Sequence, residues 1–201
     1  MMLEIVTDIL TWSWFSDPHG YNFNGYLICH PDGNICIDPV EPTDEDLDAI
    51  VKTGVSTIIL TNRNHSRAAN RVQERTGAKT LIHVDDRVHA ESQGTKIDGE
   101  LSIGSRIGPL EIVDAAGKSP GEVALHWKER SILIVGDAVI GNPPGHCLFL
   151  PERVMDDATL LKNNVRNLLN IDFDILLVGD GASILQDAKS QLKELVETFP
   201  Q

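Results

Sequence analysis

Apolar positions fall into short blocks whose period switches between two and about 3.6, with Gly, Pro or charged residues between them. Leu3 to Thr7 and Leu10 to Phe15 alternate or run apolar and predict strands, the second carrying Trp12, Trp14 and Phe15. Phe23 to His30 and Asn34 to Asp38 flank Pro31-Asp32-Gly33-Asn34, which predicts a hairpin about a two-residue Asp-Gly turn. With Pro31 opposite Asn34, Cys29 and Cys36 would face each other in a hydrogen-bonded pair as two buried thiols. Thr43-Asp44-Glu45-Asp46 resembles a capping box, Leu47, Ile50 and Val51 form an apolar stripe, and Gly54 ends the helix. A strand from Ser56 to Leu60, a polar loop from Thr61 to Arg67, a helix through Arg71 to Thr76, a strand from Lys79 to Val84 and a short helix from Asp85 to Ala90 follow.

The middle of the chain changes character. Thr95 to Ile97, Glu100 to Ile103, Leu110 to Val113, Glu122 to Trp127 and Ser131 to Val135 are short and strand-like, and predict a second antiparallel sheet. Asp156 to Asn170 carries Ala158, Leu161, Val165, Leu168 and Leu169 on one helical face. A strand from Ile175 to Val178 precedes a last helix with Leu185, Ala188, Leu192, Leu195 and Val196 at helical spacing. One arrangement buries every apolar face: two mostly antiparallel mixed sheets face to face with helices on both outer sides, a four-layer αββα sandwich. At 201 residues and 41% hydrophobic composition, one domain over residues 1–201 is the expectation.

Charge narrows the partners. A net charge of −13 argues against nucleic acid and anionic membranes, because phosphate backbones require clustered Lys and Arg. Three cysteines do not make a disulfide framework, and no leader or apolar run of bilayer length stands out, so a cytoplasmic protein is expected.

Candidate chemistry sits in Thr61-Asn62-Arg63-Asn64-His65-Ser66-Arg67, at the carboxyl end of a buried strand where α/β proteins keep their sites. Aligned without gaps, this loop resembles the T-H-x-H-x-D-H signature of the metallo-β-lactamase superfamily, with Asn62, Asn64, Ser66 and Arg67 at the ligand positions. Ile35-Cys36-Ile37-Asp38-Pro39 resembles the family's early hairpin, whose aspartate supports the histidine loop. Gly117-Lys118-Ser119-Pro120-Gly121 is similar to G-H-[ST]-P-G, Ile134-Val135-Gly136-Asp137 to the G-D motif that supplies a bridging carboxylate, and Val178-Gly179-Asp180-Gly181 to the terminal G-H-G. The order and strand-end placement of these motifs imply the αββα fold over nearly the whole chain.

Of seven ligand positions, only Asp137 keeps the family's residue type, so the resemblance implies no conventional dinuclear site. The expected function is a pseudoenzyme with no metal, its cleft kept for binding a small, possibly anionic ligand or for self-association. Lys118 and Arg67 would then replace the metal cations opposite Asp137 and Asp180. The alternative is a hydrolase of a small ester, thioester or lactone with one zinc, iron or manganese ion on Asp137, Asp180, His65 and His146. Simpler roles stand beside these: asparagines bonding their own loop, Ser66 as a helix N-cap, and His19, His30, His83, His89 and His126 as surface or satisfied histidines. Cys147 beside His146 does not by itself make a catalytic pair. Gly141-Asn142-Pro143-Pro144-Gly145 is read as a pocket rim or a rigid turn, and Trp12, Trp14 and Phe15 as core or a groove lining.

Overall fold

A computed structural model describes residues 2–199. The chain divides into two compact units, one up to Leu101 and one from Ser102, each with its own sheet and apolar core.

In the first unit, β1 (Leu3–Val6), β2 (Ile9–Ser16), β3 (Tyr21–Ile28) and β4 (Ile35–Ile37) pair antiparallel in sequence order. The sheet continues in parallel through β5 (Thr57–Ile59), β6 (Lys79–His83) and β7 (Gly99–Leu101). The change of direction follows from the connections, because parallel neighbours need crossovers. Helix α1 (Asp44–Thr53) links β4 to β5, α2 (Ala69–Thr76) links β5 to β6, and α3 (Val84–Ser92) links β6 to β7. Thr43 caps α1, its hydroxyl accepting from the Asp46 N–H at 3.1 Å. Leu27, Leu47, Ile50, Ile58, Val72 and Ile82 meet in the core. Trp12 joins them, its indole N–H donating to the Val40 carbonyl at 2.9 Å, whereas Trp14 and Phe15 are exposed.

Two local expectations change. Ile28 pairs with Ile35 and Leu27 with Cys36, so Cys29 and Cys36 do not face each other. The Cys29 N–H instead donates to the Asp8 carbonyl at 2.8 Å, and the His30 N–H is taken by the Asn34 side chain at 3.0 Å. The ladder therefore ends at Ile28, the turn is longer than two residues, and Cys29 is only partly buried. The segment Thr95 to Ile97 is not a strand: the Thr95 N–H bonds the Ala90 carbonyl at the end of α3, and the Lys96 N–H bonds the Asn70 side chain. Pairing resumes at β7, in the first sheet and not in the second.

The second unit has the strand order β12-β11-β10-β9-β8, from β8 (Arg106–Ile107), β9 (Leu110–Asp114), β10 (Val123–Trp127), β11 (Ile132–Val135) and β12 (Ile175–Val178). Only β11 and β12 run parallel, joined through α4 (Ala158–Leu168). Asp157 caps α4 by accepting the Leu160 N–H at 2.8 Å. Leu161, Val165 and Leu168 of α4 and Ala188, Leu192 and Leu195 of α5 (Ala188–Glu197) pack in a core with Leu133 and Leu176. Leu185 precedes α5 and is exposed, so it is not part of that helical stripe. Among the described residues no helix is long and apolar enough to cross a membrane.

The two tryptophans of β2 give a contrast in one strand. Trp12→Ala should lower unfolding free energy by about 3–5 kcal/mol, through lost packing and an orphaned Val40 carbonyl, while Trp14→Ala should stay within about 0.5 kcal/mol. Urea midpoints at constant m-value measure both.

Candidate functional site

In the first unit the site is built on Asp38, immediately after β4. Its backbone takes a left-handed φ of 47°, a conformation aspartate tolerates better than most L-residues, and its N–H donates to Ile59 O at 3.0 Å. One carboxylate oxygen, Oδ1, accepts the Thr61 N–H at 2.8 Å, and Oδ2 accepts the Thr61 hydroxyl at 2.6 Å. Oδ2 also lies 2.9 Å from His65 Nδ1, with the His65 side chain fully buried. A carboxylate at Nδ1 favours the tautomer with its hydrogen there and the lone pair on Nε2, the arrangement in which histidines bind metal.

The polar loop does not turn all its side chains one way. Asn62 is buried, and its side-chain oxygen accepts the Asn64 N–H at 2.8 Å, the local loop-closing role. Asn64 and Arg67 are exposed. Arg67 lies over the Phe23 ring at 4.4 Å. Ser66 is not a side-chain cap: Ala68 stands at the N-cap position of α2, which has no side-chain cap bond, and it is the Ser66 carbonyl that accepts the Ala69 N–H, at 2.7 Å.

In the second unit Lys118 and Asp137 form a buried ion pair, Nζ to Oδ2, at 2.6 Å. Lys118 is held by the backbone on either side. The Gly117 carbonyl accepts the Asp157 N–H at 2.8 Å, and the Lys118 carbonyl accepts the Asp156 N–H at 3.3 Å. Gly117 has φ +140°, and a Cβ there would lie 2.3 Å from Leu161 N, so no other residue fits against the start of α4. Asp137 follows β11, and its N–H donates to the buried Glu122 Oε1 at 2.6 Å. Asp180 follows β12, where its carbonyl accepts the Gly141 N–H at 2.9 Å. Gly141 and Gly181 bridge so closely that a Cβ on Gly181 would lie 2.4 Å from Gly141 O. The expected rim or turn at Gly141 to Gly145 is thus, at its first residue, a clamp on the Asp180 loop.

Asp137 and Asp180 each present a carboxylate oxygen within 4.8 Å of the other, and both are buried. Glu122, which accepts the Asp137 N–H, is a third buried acid in this unit. Arg67, the second cation expected to balance them, is exposed to solvent and stacked on Phe23. His146 is also exposed. Its neighbour Cys147 is buried, and desolvation, aided by the charge of Glu194, pushes its thiol up to about 12. That thiol is protonated at neutral pH and is no thiolate nucleophile. Glu122 was not among the residues singled out in the sequence. Its signal was a charge directly before the continuously apolar start of β10, a position where a strand border that is buried on both faces seldom tolerates an acid.

The sequence profile described as the metallo-β-lactamase superfamily matches residues 3–199. The chain belongs to the metallo-β-lactamase superfamily. Similar solved structures include a metallo-β-lactamase from Pontibacter korlensis, 16% identical over 99% of each chain with TM-score 0.80. Another, from Erythrobacter litoralis with β-mercaptoethanol in its active site, is 14% identical over 98% of this chain and 96% of that one, with TM-score 0.78. The enzyme FIM-1 from Pseudomonas aeruginosa, in a mono-zinc form, is 14% identical over 98% and 94% of the two chains, with TM-score 0.74. A comparison with curated protein sequences finds no match. At these identities the likeness establishes the metallo-β-lactamase fold, an α/β architecture that among the described residues has two mixed sheets and five α-helices.

The thiols carry a pH signature. A folded-state thiol raised from 9.0 to about 12 holds its proton where the unfolded thiol has lost it. Stability contributed by burying Cys147 is therefore complete below about pH 9 and falls as pH climbs from there toward 12. At pH 8, native protein should resist alkylation by iodoacetamide at Cys147 and at Cys36, whose thiol burial also raises, and both should react once urea is added. Mass spectrometry of the alkylated peptides reads this out.

Proposed function

We propose that this superfamily member is a metal-dependent hydrolase of a small ester, thioester or lactone, with a single divalent ion held by His65, Asp137 and Asp180. The observation that carries the reading is electrostatic. Two buried carboxylates lie within 4.8 Å of each other, with Lys118 paired to one of them at 2.6 Å and Glu122 accepting that residue's backbone N–H. Buried like charges at this range do not stay ionised together without a compensating cation. A divalent ion would provide that compensation, and His65, Asp137 and Asp180 are the three buried groups whose donor atoms suit it. One imidazole nitrogen and two carboxylates match zinc, iron or manganese.

The donor set has the support a metal site requires. Asp38 holds Nδ1 of His65, which orients the ring and raises the basicity of Nε2. The clamp at Gly141 and Gly181 fixes Asp180, and Glu122 fixes the backbone of Asp137. The ion, when bound, would supply an acidified water at neutral pH and polarise the carbonyl under attack. Lys118 holds one oxygen of Asp137 and keeps a fixed positive charge beside that carboxylate. The mono-zinc form of the similar enzyme FIM-1 is a precedent for one metal on this fold.

One observation favours the metal-free reading instead: the Lys118 ammonium already sits 2.6 Å from Asp137, where it competes with a dication. Elemental analysis and kinetics separate the two. The hydrolase reading expects about one zinc, iron or manganese per chain. It also expects hydrolysis of a small aryl ester that stops with chelator and returns with metal, and loss of both in His65→Ala and Asp180→Asn. A chain without metal, whose ester hydrolysis ignores chelator and added metal alike, would sink it. Lys118→Met gives opposite results under the two readings. If the ammonium substitutes for the metal, removing it strands Asp137 and costs about 3–5 kcal/mol of stability. If a metal is bound, removing a competing cation tightens metal affinity, and added metal restores the melting temperature.

A further inference from the structure

We propose that the first unit contains a separate binding pocket for a phosphoryl group, beside the metal-loop segment and formed without any residue of the proposed metal site. The cavity, about 350 Å³, lies between the polar loop, the start of α2 and the end of α3. Its walls include Arg63, Ser66, Arg67, Asn70, His89 and Thr95, and none of the described lining residues is acidic. In a chain of net charge −13, a cavity with two guanidinium groups, an imidazole, amides and hydroxyls is a local reversal of sign. Such walls repel cations and match the oxygens of a phosphate, which guanidinium groups bind through paired hydrogen bonds.

The walls are ordered by bonds already made. Arg67 is stacked on Phe23, so its fork loses less freedom when it takes a ligand. The Arg63 N–H is anchored to the buried Asp86 carboxylate at 2.9 Å. Asn70 ties the pocket floor together, donating to Gly94 O at 2.8 Å and accepting the Lys96 N–H at 2.9 Å. The first turn of α2, which begins beside the cavity, has no side-chain cap, so its dipole end adds to the positive potential. Asn64, Ser66 and Arg67, which stand at three ligand positions of the superfamily signature, all line this cavity. At these three positions the cavity gains an amide, a hydroxyl and a guanidinium group.

Amide NMR of the full-length, chelator-treated protein titrated with inorganic phosphate at low salt tests this. Saturable shifts are expected at Ser66 to Arg71 and at Gln93 to Thr95, with a dissociation constant near 1 mM or below. Arg67→Gln and Ser66→Asp should each weaken binding about tenfold, with the rest of the spectrum unchanged. Acetate should bind at least about tenfold more weakly, since a single carboxylate cannot occupy both guanidinium forks. Asp180→Asn, which removes a proposed metal ligand, should leave phosphate binding intact, so this pocket and the metal site stand or fall separately. No saturable shift, shifts mapping outside the cavity, equal binding of acetate, or affinity indifferent to Arg67→Gln and Ser66→Asp but lost with Asp180→Asn would each overturn the assignment.

Discussion

Buried carboxylates set the terms for this molecule. Asp38 is satisfied entirely within its own unit: a backbone N–H, a hydroxyl and an imidazole converge on it, so its charge is a structural asset. Asp137 and Asp180 are in a different position, because the Lys118 ammonium lies 2.6 Å from Asp137 and the two acids lie within 4.8 Å of each other. The first arrangement stiffens a loop. The second places two like charges close together in a buried site, where the loss of an ionic partner costs several kcal/mol against a stability margin of about 5–15.

The backbone is arranged so that these side chains cannot drift. A left-handed aspartate aims one carboxylate, a glycine packed against α4 seats Lys118, and two glycines in contact pin the Asp180 loop. Each determines where a charged atom lies, and a catalytic or binding geometry needs that accuracy to within about 0.5 Å.

Much of this was legible in the sequence, for identifiable reasons. The caps at Thr43 and Asp157, the breaks at Gly54 and Gly77 and the period changes mark elements whose bounds shift by a few residues in the structure. The strand-end motifs identify the family because each couples a strand to a loop that must carry polar groups. The Lys118 and Asp137 pair was readable from those motifs as well. What was not readable depended on through-space competition for backbone groups. The Cys29 N–H went to Asp8 and the Lys96 N–H to Asn70, which ended one ladder early and removed one strand altogether. Glu122 was hidden for a related reason: its role is to accept a backbone N–H fifteen residues away, and no local pattern encodes that.

The Thr61 to Arg67 loop shows where alignment to a motif reaches its limit. Matching letters without gaps assumes that equivalent positions point the same way, and on that assumption four substitutions remove every ligand from the loop. In the structure burial cuts across the motif: Asn62 and His65 are fully buried, while Asn64 and Arg67 are exposed. His65 stands at a position the motif leaves unspecified, yet it is the residue held by Asp38, as a metal-binding histidine would be. Counting lost ligands therefore overstates the loss. Burial, not residue identity at a fixed column, is the quantity that distinguishes the two faces of this loop: Asn62 and His65 turn inward, and Asn64 and Arg67 face solvent.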